Sequence, residues 1–338
     1  MASSTPSNAY SQLLDYIDRQ MDADFSDGLP VVPPTPPAVE AFIAASGMSA
    51  DTHLGEFRPR QTQTTVRDVA INAVMAGCKA EYAPVVVAIA RALMDEAFDV
   101  WGVACSTKGS APLVIVNGPI RTSIGLNCRT NVFGPGRRAN STIGRAVRLM
   151  ILNLGGARPD ELDKATLGNP GRFAQCIGED EEDSPWTPLH VERGFSPEQS
   201  TVTVFGGESL RLVNVHYNSA DAVLAATVEA LATTGIFNAN NITGRSPHVI
   251  VFAKEHRDLL HAAGWTKQAI RQFIADNAVI AEERLRCVGG TADGPGRVVT
   301  DPDQLLIVAA GGIAGRFAGV LPGWSWQSQP VTVAVELP

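Results

Sequence analysis

Two similar α/β halves behind an extended proline-rich N-terminal arm are predicted for this chain by three patterns. Helix-length segments alternate with short, continuously apolar runs. One such run, APLVIVNGP at 111–119, is echoed by SPHVIVFA at 246–253. Prolines gather in one early stretch, SDGLPVVPPTPP at 26–37. A run of four to eight apolar residues bounded by turn formers reads as a strand covered on both faces. A helix, such a strand and a helix recur at similar spacing, which implies an internal pseudo-two-fold duplication. The expected boundaries are residues 1–64 for a short helix and the arm, 65–200 for a first half with a glycine-rich loop, and 201–338 for a second half.

Each element has a local cause. Residues 11–21 are amphipathic at helical spacing. The prolines that follow forbid a helix until Ala38, where AVEAFIAAS can form one. Leu29, Val31 and Val32 in the arm are apolar and need burial, so the arm wraps a surface of its own subunit or of a partner, and a homo-oligomer joined through it is expected. Thr65 is the expected N-cap of a helix over TVRDVAINAVMAG. PVVVAIARALMDEAF is a second helix with Pro84 in its first turn. NSTIGRAVRLMILNLGG is a helix stopped by Gly155 and Gly156. In the second half STVTVF is a strand, SADAVLAATVEALATTG a helix capped by Ser219, KEHRDLLHAAG and TKQAIRQFIADNAV are helices, and QLLIVAAGG and VTVAVEL are strands.

The 338 residues are 45% hydrophobic and 18% charged, with a net charge of −8 and a pI near 5.3. That composition is globular and well buried, and its acidity argues against a nucleic-acid partner. No apolar run reaches the length of a membrane span and the start lacks the pattern of a secretory signal. Five dispersed cysteines, Cys78, Cys105, Cys128, Cys176 and Cys287, contain no CxxC pair. They fit reduced thiols, and a cytoplasmic location is expected.

Four stretches could carry chemistry. In MAGCKAEY, Cys78 lies between two helices beside Lys79, and a thiol at a helix N-terminus next to a cation is expected to become a nucleophilic thiolate, with Glu81 and Tyr82 one turn away. In ACSTKGSAP, Lys108 is a candidate substrate contact. The loop from Asn117 and Gly118 to FGPGRRANS leaves the carboxyl end of a buried strand, where open α/β sheets bind ligands. Its end, with Arg138, Asn140 and Ser141 at a helix start, suits a small carboxylate. The spacing is neither a P-loop nor a dinucleotide fingerprint. The acidic run Glu179–Asp183 reads mainly as a solvated face, although flanking apolar residues suggest that one carboxylate is buried; Glu182, with His216 at a strand-to-helix junction, is a candidate for proton transfer.

The expected function is therefore a hydrolase or lyase acting on a small carboxylate. No cofactor is predicted. The alternatives are a metal-dependent enzyme drawing on Cys78, Glu81, Glu179 or His190, or a non-catalytic subunit. The segments DGLPVVPPT, AINAVMAGCKAEYAPVV, APLVIVNGPI, FGPGRRANSTIGRAVRLM and GNPGRFAQCIGEDEEDSPW, spread from Asp27 to about Gly315, resemble a group of bacterial proteins that occur with or near UGSC-type (seleno)protein domains. The UGSC motif itself is absent. The resemblance implies a bacterial cytoplasmic enzyme connected with sulfur or thiol chemistry, and carries no residue roles.

Overall fold

A computed structural model describes residues 8–234, 244–287 and 294–338. In chain order the first helices and strands are α1 (Asn8–Met21), α2 (Pro36–Ala45), β1 (His53–Phe57), β2 (Thr62–Thr65), α3 (Val66–Ala76), α4 (Ala83–Met94), α5 (Val100–Cys105), β3 (Ala111–Asn117), α6 (Ile120–Ser123), α7 (Arg138–Asn153), β4 (Cys176–Gly178), α8 (Leu189–Glu192) and β5 (Thr201–Gly207). There follow β6 (Arg211–Asn214), α9 (Ala220–Thr234), β7 (His248–Phe252), α10 (Lys254–Ala262), α11 (Lys267–Asn277), β8 (Val279–Ile280), α12 (Glu282–Cys287), β9 (Gly296–Arg297), β10 (Leu305–Ala309), β11 (Phe317–Pro322) and β12 (Val331–Ala334).

Two four-stranded sheets form the centre. One has the order β4-β3-β5-β12 and the other β10-β7-β11-β6. Read from these ends, each sheet runs parallel at its first pairing and antiparallel at the next two. The sheets pack face to face. Because side chains alternate along a strand, Leu113 and Ile115 of β3 point inward to Val249 and Val251 of β7 and Leu306 and Val308 of β10. Val114 and Val116 point outward to α3, α4 and α7. Ile250, Phe252 and Ile307 point outward to α9, α10 and α11. Helices thus cover both outer faces, and the unbroken apolar runs of β3 and β7 follow from burial on each side.

The expected halves at 65–200 and 201–338 do not each own a sheet. β5, which opens the second of them, pairs with β3, and the chain's last strand, β12, returns to β5. β6 crosses to the other sheet and pairs with β11. The hairpin β1–β2 and the strands β4, β6 and β11 were not expected, being short or interrupted by glycine. α2 begins at Pro36 rather than Ala38, because proline is compatible with the first helical turn, where no N–H bond is needed. α7 begins at Arg138, with Arg137 as a cap that makes no side-chain bond, so neither Asn140 nor Ser141 is the helix cap. Thr65 does cap α3, in a reciprocal capping box with Asp68.

The segment between α1 and α2 lies on α3 and α7 of its own chain. Arg145 holds Asp27 through two bonds of 2.9 and 2.7 Å, Val32 N–H donates to Met75 O, and Asn153 donates to Phe25 O.

His248, at the start of β7, is buried, and its Nδ1 accepts from Gly323 N–H at 3.3 Å. Burial lowers its pKa from 6.5 to about 4. The unfolded chain therefore binds a proton before the folded one does. Stability is complete above pH 6.5 and falls as pH drops towards about 4, by on the order of 3 kcal/mol from this group. Urea midpoints measured across that interval should fall, and His248→Gln should flatten the fall; an equal slope in the variant would remove His248 as its cause.

Candidate functional site

The expected site residues separate into two places. Asn117 and Gly118 end β3, beside the acidic run that leaves β4. Glu179 is 1% exposed, and its carboxylate accepts from Asn117 Nδ2 (2.7 Å), Leu189 N–H (2.7 Å), Lys267 Nζ (3.3 Å) and Ala309 N–H (3.4 Å). Lys267, equally buried at the N-terminus of α11, also donates to Thr187 O (2.7 Å) and Glu192 (3.2 Å), and Arg271 forks onto Glu192. Glu181 accepts from Asn117 Nδ2 and Gly118 N–H at 2.8 Å each, and from Arg121 at 2.9 Å. Arg121 reaches Glu182 at 3.0 Å, and this pairing draws the Glu182 pKa down against its partial burial.

Beside this cluster lies His190, fully buried on α8, with its Nδ1 3.9 Å from Glu181 Oε1. Neither ring nitrogen has a hydrogen-bond partner, nor does Asn117 Oδ1. Buried polar atoms are nearly always bonded, and each one left alone costs about 1–3 kcal/mol. On the other side of the run, Asp180 meets Arg129 (3.1 Å) and Arg257 (3.6 Å), and Asp183 meets Arg257 (3.0 Å) and Lys254 (2.7 Å). A mainly apolar cavity of about 520 Å³ opens at the carboxyl ends of β7 and β10. Thr130, Phe133, Ala253, Ala310 and Gly311 are among its walls.

The other expected residues lie apart. Cys78 is buried against the outer face of the first sheet, after the left-handed cap Gly77 of α3, not at a helix N-terminus. Burial pushes its thiol up to about 12, outweighing the hydrogen bond with Thr142 and the nearby Arg138. That is unfavourable to the expected thiolate. Burial likewise raises Cys105, Cys128 and Cys176, while the Cys287 side chain lies outside the described residues. Lys79 and Glu81 form an exposed ion pair at 3.2 Å, and Tyr82 is buried. Arg138 spends two nitrogens on Gly77 O, at 3.1 and 3.0 Å, capping α3. Asn140 clamps the loop, accepting from Asn127 N–H and donating to Asn127 O and Cys176 O. Ser141 is an interior residue of α7, half-buried. Lys108 pairs with Glu208 at 2.5 Å, and His216 is exposed at the end of β6, its carbonyl held by Arg316.

Arg121, Glu181, Lys267 and Arg257 were missed because their partners come from distant sequence. One local sign was present. In an extended chain alternate residues face opposite sides, and Glu179 and Glu181 share the Asn117 side while Asp180 faces Arg257. Among the described residues no group of three or more His, Cys, Asp or Glu side chains is arranged to hold a metal ion; the metal set Cys78, Glu81, Glu179 and His190 is split between the two places. No described helix is long and apolar enough to cross a membrane. No protein-family model matches the chain, and neither does any curated protein.

Two outcomes are expected. Cys78 should resist iodoacetamide near neutral pH while the protein is folded and react once it unfolds; rapid labelling of the native protein at Cys78 would restore the thiolate. Lys267→Met should cost about 3–5 kcal/mol in urea unfolding, since it leaves Glu179 and Glu192 buried without their cation. A loss below about 1 kcal/mol, the range of an exposed pair, would mean that the cluster is effectively solvated.

Proposed function

We propose that the chain is an enzyme that moves a proton to or from a small polar substrate, a lyase or hydrolase, at the carboxyl ends of β3, β4 and β10. His190 is the acid–base group, and Glu181 is the carboxylate beside it. The observation that carries the reading is the imidazole of His190, fully buried with both nitrogens unpartnered and 3.9 Å from Glu181. A buried structural histidine normally has its nitrogens bonded, whereas an acid–base histidine keeps one for the reacting group. Glu179 is a poorer candidate, because four donors already occupy it.

The groups nearest solvent are acidic: Glu182 has a side-chain exposure of 56% and Glu181 of 13%. Arg121 is spent on both. A hydroxyl or amine therefore suits this site better than the carboxylate expected from Arg138. The thiol chemistry implied by the family resemblance has no activated cysteine among the described side chains to support it.

We further infer that the two sheets descend from one duplicated unit. Support comes from their matching strand directions and from the exchange of β6 and β12, each the strand that follows the antiparallel partner, β5 or β11. The proline-rich arm, in this reading, braces its own α3 and α7.

The test is turnover of a panel of small hydroxy and amino compounds in D₂O, read by mass spectrometry as product or deuterium gained. The wild type should act on at least one compound. His190→Asn should lose at least about a hundredfold while melting like the native protein. Full activity in His190→Asn, or no turnover by the wild type, would end the reading.

A further inference from the structure

Far from that cluster, at the amino end of β3, the loop between α7 and β4 encloses a cavity of about 630 Å³ whose lining includes Asp27, Arg148, Asp163, Lys164, Asn169 and Phe173. Arg172 ties the loop to this end of the sheet by donating to Ser110 O at 2.7 Å. The seven residues of β3 separate the two places by about 20 Å at 3.3 Å per residue.

The ionic groups of the lining divide into those already paired and those still open. Asp27 is held by Arg145, and Asp163 by Arg172 at 2.5 Å. Asp160 is exposed at the rim, and its carbonyl takes the Lys164 ammonium at 2.9 Å. Arg148 is different. Its one hydrogen bond is long, 3.5 Å from Nη1 to Ala157 O, although the residue is half-buried. Burial draws its pKa down. Asn169 is 8% exposed, and its Oδ1 accepts from Gly171 N–H at 2.9 Å. That bond fixes the amide orientation, since the flipped form would set NH₂ against N–H. Its Nδ2 is left as a buried donor with no acceptor. Two donors of different kinds therefore line one cavity, a guanidinium with a single long hydrogen bond and an amide nitrogen with none. Above them Leu167 is 98% exposed and Phe173 57% exposed, an apolar rim in a polar loop.

We propose that this cavity binds a small amphipathic monocarboxylate, with the carboxylate on Arg148 and Asn169 and the apolar body against Leu167 and Phe173. A guanidinium forks onto a carboxylate, and a charge-assisted bond of this kind contributes about twice what a neutral one does. The volume falls within the range of small-ligand pockets. The site is separate from the proton-transfer cluster and does not depend on its assignment.

Calorimetric titration of the full chain with octanoate tests the proposal, with octanamide as the uncharged isostere and acetate as the carboxylate without an apolar body. Octanoate should bind at one site, and both octanamide and acetate at least about tenfold more weakly. Arg148→Gln should weaken octanoate at least about tenfold. Leu167→Glu, at a nearly fully exposed side chain, should do the same without unfolding the protein, by placing a repelling charge on the rim. Absence of octanoate binding, equal binding of octanamide, or undiminished binding in Leu167→Glu would each overturn the proposal. If Arg148→Gln fails to fold, the Leu167→Glu and octanamide results decide.

Discussion

The buried carboxylate of Glu179 is the constraint around which the rest is arranged. A carboxylate taken out of water must be surrounded by donors or it is not tolerated. Its four come from β3, α8, α11 and the end of β10, so the group can be satisfied only when both sheets and their outer helices are in position. The neighbours repeat the demand. Asp180 N–H donates to Ala309 O, Arg121 Nη1 reaches back to Glu179 O, and Arg257 is buried against Asp180 and Asp183. Five consecutive acids, which would repel one another in an exposed loop, become a joint that locks two sheets at their carboxyl ends.

That joint needs a partner without bulk. The acids leave β4, and the segment opposite them, leaving β10, is AAGGIAG. Gly311 has φ +116°, and its N–H donates to Cys128 O. A Cβ at Gly312 would come within 2.5 Å of the Thr130 hydroxyl oxygen. Side chains here would push the glycine segment off the loop that carries Thr130, which also walls the apolar cavity. The two corresponding strand ends thus differ in chemistry while matching in topology: one brings charge, the other allows close approach of backbone. A functional site at such a junction gains rigidity from both sheets.

Much of this frame was legible in the sequence. β3 and β7 were readable because burial on both faces demands unbroken apolar runs, and α3 because Thr65 and Asp68 form a local capping box. The pairing of β6 with β11 was not, because a four-residue strand with the burial pattern of RLVN carries no sign of which sheet it joins. Asn117 and Gly118 were singled out by their position at a strand's carboxyl end, and Glu182 by the apolar residues that flank its acidic run. His190 was named in the sequence only as a ligand of the alternative metal set beside a charge run. What distinguishes it, burial with no partner, is a property of the packing of α8, and no local pattern encodes that. Cys78 misled for the same reason. Lys79 suggested an electropositive pocket, but the lysine pairs with Glu81 in solvent while the thiol faces the core.

The arginines of α7 make the general point. Arg138, Arg145 and Arg148 lie on one helix and offer the same chemistry in the sequence. Arg138 meets a helix-terminal carbonyl and becomes a cap. Arg145 meets Asp27 and holds the segment between α1 and α2. Arg148 has a single long hydrogen bond, to a carbonyl beneath a loop, with Asp163 and Asp27 nearby. A guanidinium has five donors and cannot be neutralised at ordinary pH, so what it does is set by how many acceptors the fold supplies. Arg138 and Arg145 are accounted for by the architecture. Arg148 is half-buried with little to bond, and such under-satisfied donors are found where a ligand completes the set.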